Sequence, residues 1–105
     1  MDAIKKARVE AAGFRVTTAE EFLGLTAEEV EIVYVRLALG DYLRQLRRER
    51  HWTQAHVAER IGSSQSRIAK MEAADQSVSL DLMFKALFSL GASSCDVGRV
   101  IAGPA

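Results

Sequence analysis

Apolar residues recur along this chain at the three- and four-residue spacing of α-helices. No apolar–polar alternation bounded by turn residues occurs, and the single proline stands at position 104, so no strand is predicted. The pattern predicts an all-α protein. Its helices cover residues 2–12, 17–25, 26–50, 53–61, 64–73 and 79–90, with a further short helix from 94.

The longest predicted helix begins at the capping box Thr26–Glu29 and continues to about Arg50. Its first half is apolar on more than one face, through Val30, Ile32, Val33, Tyr34, Val35, Leu37 and Leu39. One small core does not need so much apolar surface, so either a second chain or the N-terminal helices should cover part of it. Gly40 indicates a kink or a close helix contact at that point.

The composition indicates which classes of protein are compatible with this sequence. The chain has 105 residues, enough for one domain with a modest core, and 49% of them are apolar, which indicates a folded globule. A single cysteine excludes an intrachain disulfide, and no apolar run is long enough for a membrane span. The charged first residues lack the apolar core of a signal peptide. A cytoplasmic location is the expectation.

Charge is distributed unevenly, although the net charge is zero. Residues 1–35 carry four basic and seven acidic side chains, a net charge of −3, whereas residues 36–75 carry eight basic and five acidic ones, a net charge of +3. The neutral total therefore permits one basic face, which is what the phosphate backbone of a nucleic acid would contact.

Two short predicted helices, in the stretch TQAHVAERIGSSQSRIAKME from Thr53 to Glu72, carry the most specific pattern. Thr53 is a candidate N-cap for the first helix, and Ser63 or Ser64 for the second. Gly62 suits a tight turn, because only glycine adopts a positive φ without steric cost. The positions with helix-turn-helix spacing are Ala58, Gly62, Ile68 and Met71.

This stretch resembles the helix-turn-helix of phage repressor and Cro-like regulators, the XRE family, across residues 43–91, most specifically in TQ…VA…IG.SQS.I.K.E. The segment GFRVTTAEEFLGLTAEE resembles the leader of HigA-like antitoxins. The resemblance implies a lambda-repressor-like five-helix DNA-binding domain with an N-terminal helical extension. The expected parts are an extension over 1–36, the helix-turn-helix domain over 37–92, and a short helix or tail over 93–105.

The resemblance also implies roles for individual residues. Helix 64–73 would enter the major groove of double-stranded DNA. The residues at DNA-binding positions are Gln54, Ser64, Gln65, Ser66, Arg67 and Lys70. Gln65, Ser66 and Lys70 would read bases, while Gln54 and Ser64 would contact phosphate. Arg67 departs from the short polar residue that some members carry, and it could reach a guanine or a phosphate.

Other positions carry expected structural roles. The residues expected to hold the motif together are Arg47, Glu72, Ala58, Gly62 and Ile68. Arg47 and Glu72 match a pair that forms an internal salt bridge in several family members. Arg44, Arg48 and Arg50 are expected to be solvated or near phosphates, and Trp52 to plug the core.

Enzymatic chemistry is not predicted. His51 and His56 lack the further ligands of a metal site, and Cys95 has no activating partner in sequence. The Glu pairs at 20–21 and 28–29 are explained by helix N-termini. No catalytic residue, metal or cofactor is expected.

The leading hypothesis is a repressor that binds a palindromic operator as a homodimer. Its dimer contact would use Phe84, Phe88 and Leu90, or the first half of the long helix. A more specific hypothesis is the antitoxin of a toxin–antitoxin pair, with a RelE/HigB-like toxin as partner. The alternative is a protein-interaction module that keeps the fold without specific DNA binding, since a solvated helix face also carries Gln, Ser, Arg and Lys.

Overall fold

The computed structural model describes residues 24–103, and within this range the chain forms five α-helices and no strand. They are α1 (Ala27–Glu49), α2 (Gln54–Ile61), α3 (Gln65–Glu72), α4 (Leu80–Ser89) and α5 (Ser94–Ala102). The fold is thus of the predicted all-α, five-helix type. The helix predicted over 2–12 lies outside the described residues, as does the one over 17–25 apart from Gly24 and Leu25, which form a turn and a bend.

Each of these five helices begins after a Ser or Thr whose hydroxyl accepts a hydrogen bond from a backbone N–H in the first turn. These residues are Thr26, Thr53, Ser64, Ser79 and Ser93. At Thr26 the predicted capping box is complete, because Glu29 also accepts from the backbone N–H of Thr26 at 3.1 Å. Each such cap contributes about 1 kcal/mol, so local sequence fixes where these helices start.

The larger of two hydrophobic clusters in residues 24–103 lies between α1 and the other helices, with α1 packed against α3, α4 and α5, and α2 packed against α3 and α4. Its most completely buried side chains are Leu39, Leu43, Val57, Ile68, Met71, Met83 and Leu87. Burying each side chain of this size contributes about 1.5–3 kcal/mol. α5 adds Val97 to the core and packs on α1, so the segment predicted as a helix or tail is a packed helix.

One prediction about an apolar residue is wrong. Leu90, named above as a candidate for a dimer contact, is only 2% exposed and lies in the core, so it is not available to a second chain. Ile61, on the apolar side of α2, is half-buried at the edge of the core. No helix in residues 24–103 is both long enough and apolar enough to span a membrane.

Gly40 allows α1 to contact the C-terminal end of α3. A Cβ atom built at Gly40 would lie 2.6 Å from the carbonyl oxygen of Met71 and 3.1 Å from that of Glu72. α1 continues through this position as one helix from Ala27 to Glu49, so Gly40 serves close packing rather than a kink. The backbone of α1 therefore sets the position of the last turn of α3.

Replacing Gly40 with alanine is expected to destabilise the domain by about 1–3 kcal/mol, because the new methyl group overlaps backbone that cannot rotate away. Gly98→Ala is the matched control. Gly98 also lies within a helix, but a Cβ atom added there would have nothing within 4 Å, so alanine should stabilise the domain by up to about 1 kcal/mol. Urea unfolding of both variants measures the difference. A Gly40→Ala variant as stable as wild type would contradict the close contact.

Candidate nucleic-acid interface

α2 and α3 are joined by a tight turn of three residues. Gly62 ends α2 in the left-handed conformation, with φ 68° and ψ 38°. The N–H of Ser63 then donates to the carbonyl oxygen of Ala58 at 2.8 Å, which closes the end of α2. Ala58 is 4% exposed and Ile68 is fully buried, so small and apolar residues fill the space where the two helices meet. These are the roles that the sequence predicts for these residues.

α3 places the predicted base-reading residues on its solvent face. Its buried side consists of Ile68, Met71 and Glu72, while four exposed residues lie on the rest of its circumference: Gln65, Ser66, Arg67 and Lys70. At 100° per residue, Ser66 and Lys70 are at the centre of the exposed face, with Gln65 and Arg67 on either side. Within the described residues, the side chains of Arg67 and Lys70 form no hydrogen bond or ion pair, so both are available to a ligand.

A chain of hydrogen bonds connects this face to the interior. The Gln65 carboxamide donates to Gln54 Oε1 at 3.1 Å, and the Gln54 carboxamide donates to Glu72 Oε1 at 3.2 Å. Gln54 is therefore half-buried and orients Gln65, a role that sequence analysis did not assign to it. Its predicted contact with phosphate remains a prediction.

The hydrogen bonds from Gln65 through Gln54 end at the buried carboxylate of Glu72. It is 4% exposed and accepts two hydrogen bonds from Arg47, from Nε at 2.6 Å and from Nη2 at 2.9 Å. Arg47 in turn donates to the carbonyl oxygen of Trp52 at 3.0 Å, the residue that precedes the α2 cap. The ion pair implied by the family resemblance is thus present, and it ties α1, α2 and α3 together.

The pKa of Glu72 reflects these contacts. Burial by itself raises the pKa of this carboxyl group, but hydrogen bonds from Arg47 and Gln54 and the charges of Arg47 and Arg44 outweigh it, so the pKa lies below its usual value. The pKa of Arg47 is raised, mainly by its hydrogen bond with Glu72. Both groups are accordingly charged at neutral pH.

The arginines expected to be solvated or near phosphates differ from one another. Arg44 lies 3.5 Å from Glu72 Oε1 and also donates to the Glu72 carbonyl oxygen at 3.3 Å, so it belongs to the Glu72 cluster. The prediction for Arg50 is wrong. Its guanidinium donates to the carbonyl oxygens of Leu46 and Leu90 and thereby joins the ends of α1 and α4. Of the three, only Arg48 is classed as exposed, as predicted.

Trp52 packs against the core, as predicted, and is also flanked by basic groups. The guanidinium of Arg60 lies 4.7 Å from the centre of its ring and that of Arg50 lies 5.6 Å away, while the His56 ring centre is 4.8 Å distant. Such cation–π contacts contribute about 0.5–1 kcal/mol at exposed sites. These contacts are hard to predict from sequence, because they depend on the turn before α2, which places the Trp52 ring against that helix.

Metal ligands do not converge within residues 24–103, where no group of three or more His, Cys, Asp or Glu side chains could hold an ion. Cys95 is exposed at the start of α5, with Arg99 Nη2 at 3.5 Å from its sulfur.

Comparison with known proteins identifies the family of this domain. A family model described as a helix-turn-helix domain matches residues 38–93, more than half of the 105-residue chain and a range that includes α2, the turn and α3. No match was found among curated proteins or solved structures. The geometry of α2 and α3 and the matched family model agree, and the chain belongs to the helix-turn-helix domain family.

Proposed function

We propose that this protein is a sequence-specific double-stranded DNA-binding regulator that represses transcription as a homodimer on a palindromic operator. The observation that carries the proposal is the exposed face of α3, on which Gln65, Ser66, Arg67 and Lys70 have no competing role in the core. A helix-turn-helix presents this face of its second helix to the major groove.

The chemistry of the face suits base edges. Gln65 can pair with adenine through its carboxamide, and Arg67 can donate two hydrogen bonds to guanine. Gln54 and Glu72 restrict Gln65 to one orientation, so less conformational entropy is lost when it meets a base. Ser66 and Lys70, at the centre of the face, would be closest to the floor of the groove.

Phosphate contacts would come from the start of α2 and from the cap of α3. Gln54 is the first residue of α2, where backbone N–H groups lack intrahelical partners and can donate to an anion. Ser64 is exposed, although its hydroxyl already accepts from the Arg67 N–H at 3.2 Å, and that hydroxyl can still donate to a phosphate oxygen. The +3 charge of residues 36–75 favours the approach of DNA despite a neutral total.

A dimer follows from the size of the interface. One α3 helix reads only a few base pairs and buries too little surface for strong binding. Two copies related by a two-fold axis would place their α3 helices about one turn of DNA apart, which implies an operator of two inverted half-sites.

Fluorescence anisotropy tests the proposal. Labelled duplex from upstream of the protein's own gene is titrated with protein at two salt concentrations, with a scrambled duplex as control. Preference for the native duplex and loss of affinity at the higher salt are expected, because phosphate contacts release counterions. Equal and weak binding to both duplexes would instead favour a protein-interaction module, the alternative function.

The first half of α1 favours a second role, as an antitoxin. Ile32 is 48% exposed there, and residues 27–35 include three glutamates and no basic residue. Such a surface suits a basic protein, as an RNA-cleaving toxin of the RelE/HigB kind would be. Co-expression with the product of the neighbouring gene tests this role: co-purification that Ile32→Lys abolishes is expected, and separate elution of the two proteins would refute it.

A further inference from the structure

Within residues 24–103, two apolar surfaces could bring copies of this chain together, and they differ in charge. One is the first half of α1 around Ile32, and the other is the exposed side of α4 around Phe88, which is 47% exposed. A two-fold contact places the same patch of both copies face to face, so the patch must complement itself. Residues 27–35 carry only negative charge, and their self-contact would bring glutamates together.

The exposed side of α4 complements itself. Asp81 and Lys85 lie four residues apart on this side, both exposed, and neither forms an ion pair within the described residues. Phe84 and Phe88 continue the same stripe, with ring centres 6.2 Å apart and ring planes 15° from parallel. The α4 stripe, Asp81, Phe84, Lys85 and Phe88, therefore combines a flat apolar surface with one charge of each sign.

We propose that the α4 stripe is the surface through which a second copy of this chain binds, with the two α4 helices antiparallel. This inference rests on the proposed function, which requires two copies on one operator. An axis near residue 83 would place Asp81 of each copy opposite Lys85 of the other, so that both unpaired charges gain a partner. Phe84 would lie beside the axis and Phe88 at the edge of the contact.

The proposed contact between two α4 helices is small, so its affinity should be low. A stable protein interface buries about 1,600 Å² in total, which a pair of ten-residue helices does not reach. Self-association is therefore weak in the free protein. Binding of two copies to one operator would raise their effective concentration, so that the same contact gives cooperative binding.

Charge reversal tests this arrangement in the absence of DNA. Sedimentation velocity of the full chain, up to about 1 mM protein, should show a monomer–dimer equilibrium. Asp81→Lys and Lys85→Asp should each raise the dissociation constant at least about tenfold, because the axis repeats every like-charge contact. An equimolar mixture of the two variants should form heterodimers, because one copy then carries two positive charges and the other two negative charges.

Phe88→Ala provides a second measurement, since an exposed phenylalanine can be removed without unfolding the chain. It should raise the dissociation constant about tenfold while the thermal midpoint stays near that of wild type. Arg99→Ala, on the exposed surface of α5, is the control and should leave self-association unchanged.

Three results would overturn the inference: a wild-type chain that stays monomeric throughout the concentration range, charge variants that dimerise like wild type, or a mixture that gains nothing over its components. Because no DNA is present, failure here is distinct from failure of the proposed function. A chain that prefers its native duplex but shows none of these charge effects keeps the function and loses the α4 interface.

Discussion

Replacing Arg67 and Lys70 together with alanine is expected to abolish preference for the native duplex and to lower affinity about 10²- to 10⁴-fold, since a good base contact contributes about 1–3 kcal/mol. Both side chains are exposed on α3 and form no hydrogen bond or ion pair within the described residues. Their loss should therefore leave the free energy of unfolding within about 0.5 kcal/mol of wild type.

The single variants separate the two roles. A residue that contacts phosphate should reduce the slope of log affinity against log salt by about 0.9 when removed, for native and scrambled duplexes alike. A residue that reads a base should instead reduce the difference between the two duplexes. Arg99→Ala removes the same charge from α5, which packs mainly on α1, and should change neither quantity. If the double variant kept its preference, α3 would not be the reading helix.

Replacing Glu72 with alanine is expected to destabilise the domain by about 3–5 kcal/mol, because Arg47 would keep a partly buried charge without its partner. The total free energy of unfolding of a domain of this size is only about 5–15 kcal/mol, so the variant should be partly unfolded at moderate temperature. Urea unfolding measures the loss. Glu59→Ala on the exposed side of α2 is the matched control and should cost no more than about 0.5 kcal/mol.

The pH dependence of the same contact has a defined sign. Because the pKa of Glu72 is lower in the folded protein than in the unfolded chain, the unfolded state takes up a proton first as pH falls. The stabilisation is complete above the unfolded pKa, near 4.3 for glutamate, and is lost as pH falls through the folded pKa. Glu72→Gln should remove this dependence, so the stability gap between wild type and Glu72→Gln should narrow in acid. A constant gap from neutral to acid pH would contradict the lowered pKa.

Helix starts were predictable because the information is local. A hydroxyl three residues before an unpaired backbone N–H caps the helix whatever lies around it, which is why Thr26 and Thr53 could be identified from sequence. Left-handed residues without glycine were not predictable. His51 and Ala74 have φ of 56° and 59°, conformations imposed by the turns after α1 and α3. Backbone hydrogen bonds that close these turns, from the N–H of Trp52 to the carbonyl oxygen of Arg47 and from the N–H of Asp75 to that of Lys70, outweigh the local preference against positive φ.

The candidate site shows the same division. Helical periodicity is enough to place Ser66, Arg67 and Lys70 away from the core, because Ile68 and Met71 define the buried side of α3. The link from Gln65 through Gln54 to Glu72 depends on how α2 crosses α3, which no periodicity encodes. Arg50 was misjudged for a related reason, since it donates to the carbonyl oxygen of Leu90 at the end of α4.

Because α1 is one continuous helix, the direction in which Ile32 faces is fixed relative to α3. The 23 residues of α1 form one rod of about 34 Å, and Gly40 locks the middle of that rod against α3. One residue inserted between Val33 and Leu37 would turn the Ile32 surface by about 100° around the rod and advance it by about 1.5 Å relative to α3. Seven inserted residues make close to two full helical turns, so Ile32 would again face nearly its original direction. If the proposed function is correct, a protein bound to the Ile32 surface would therefore be held by α1 at a fixed angle to α3 and to DNA bound there.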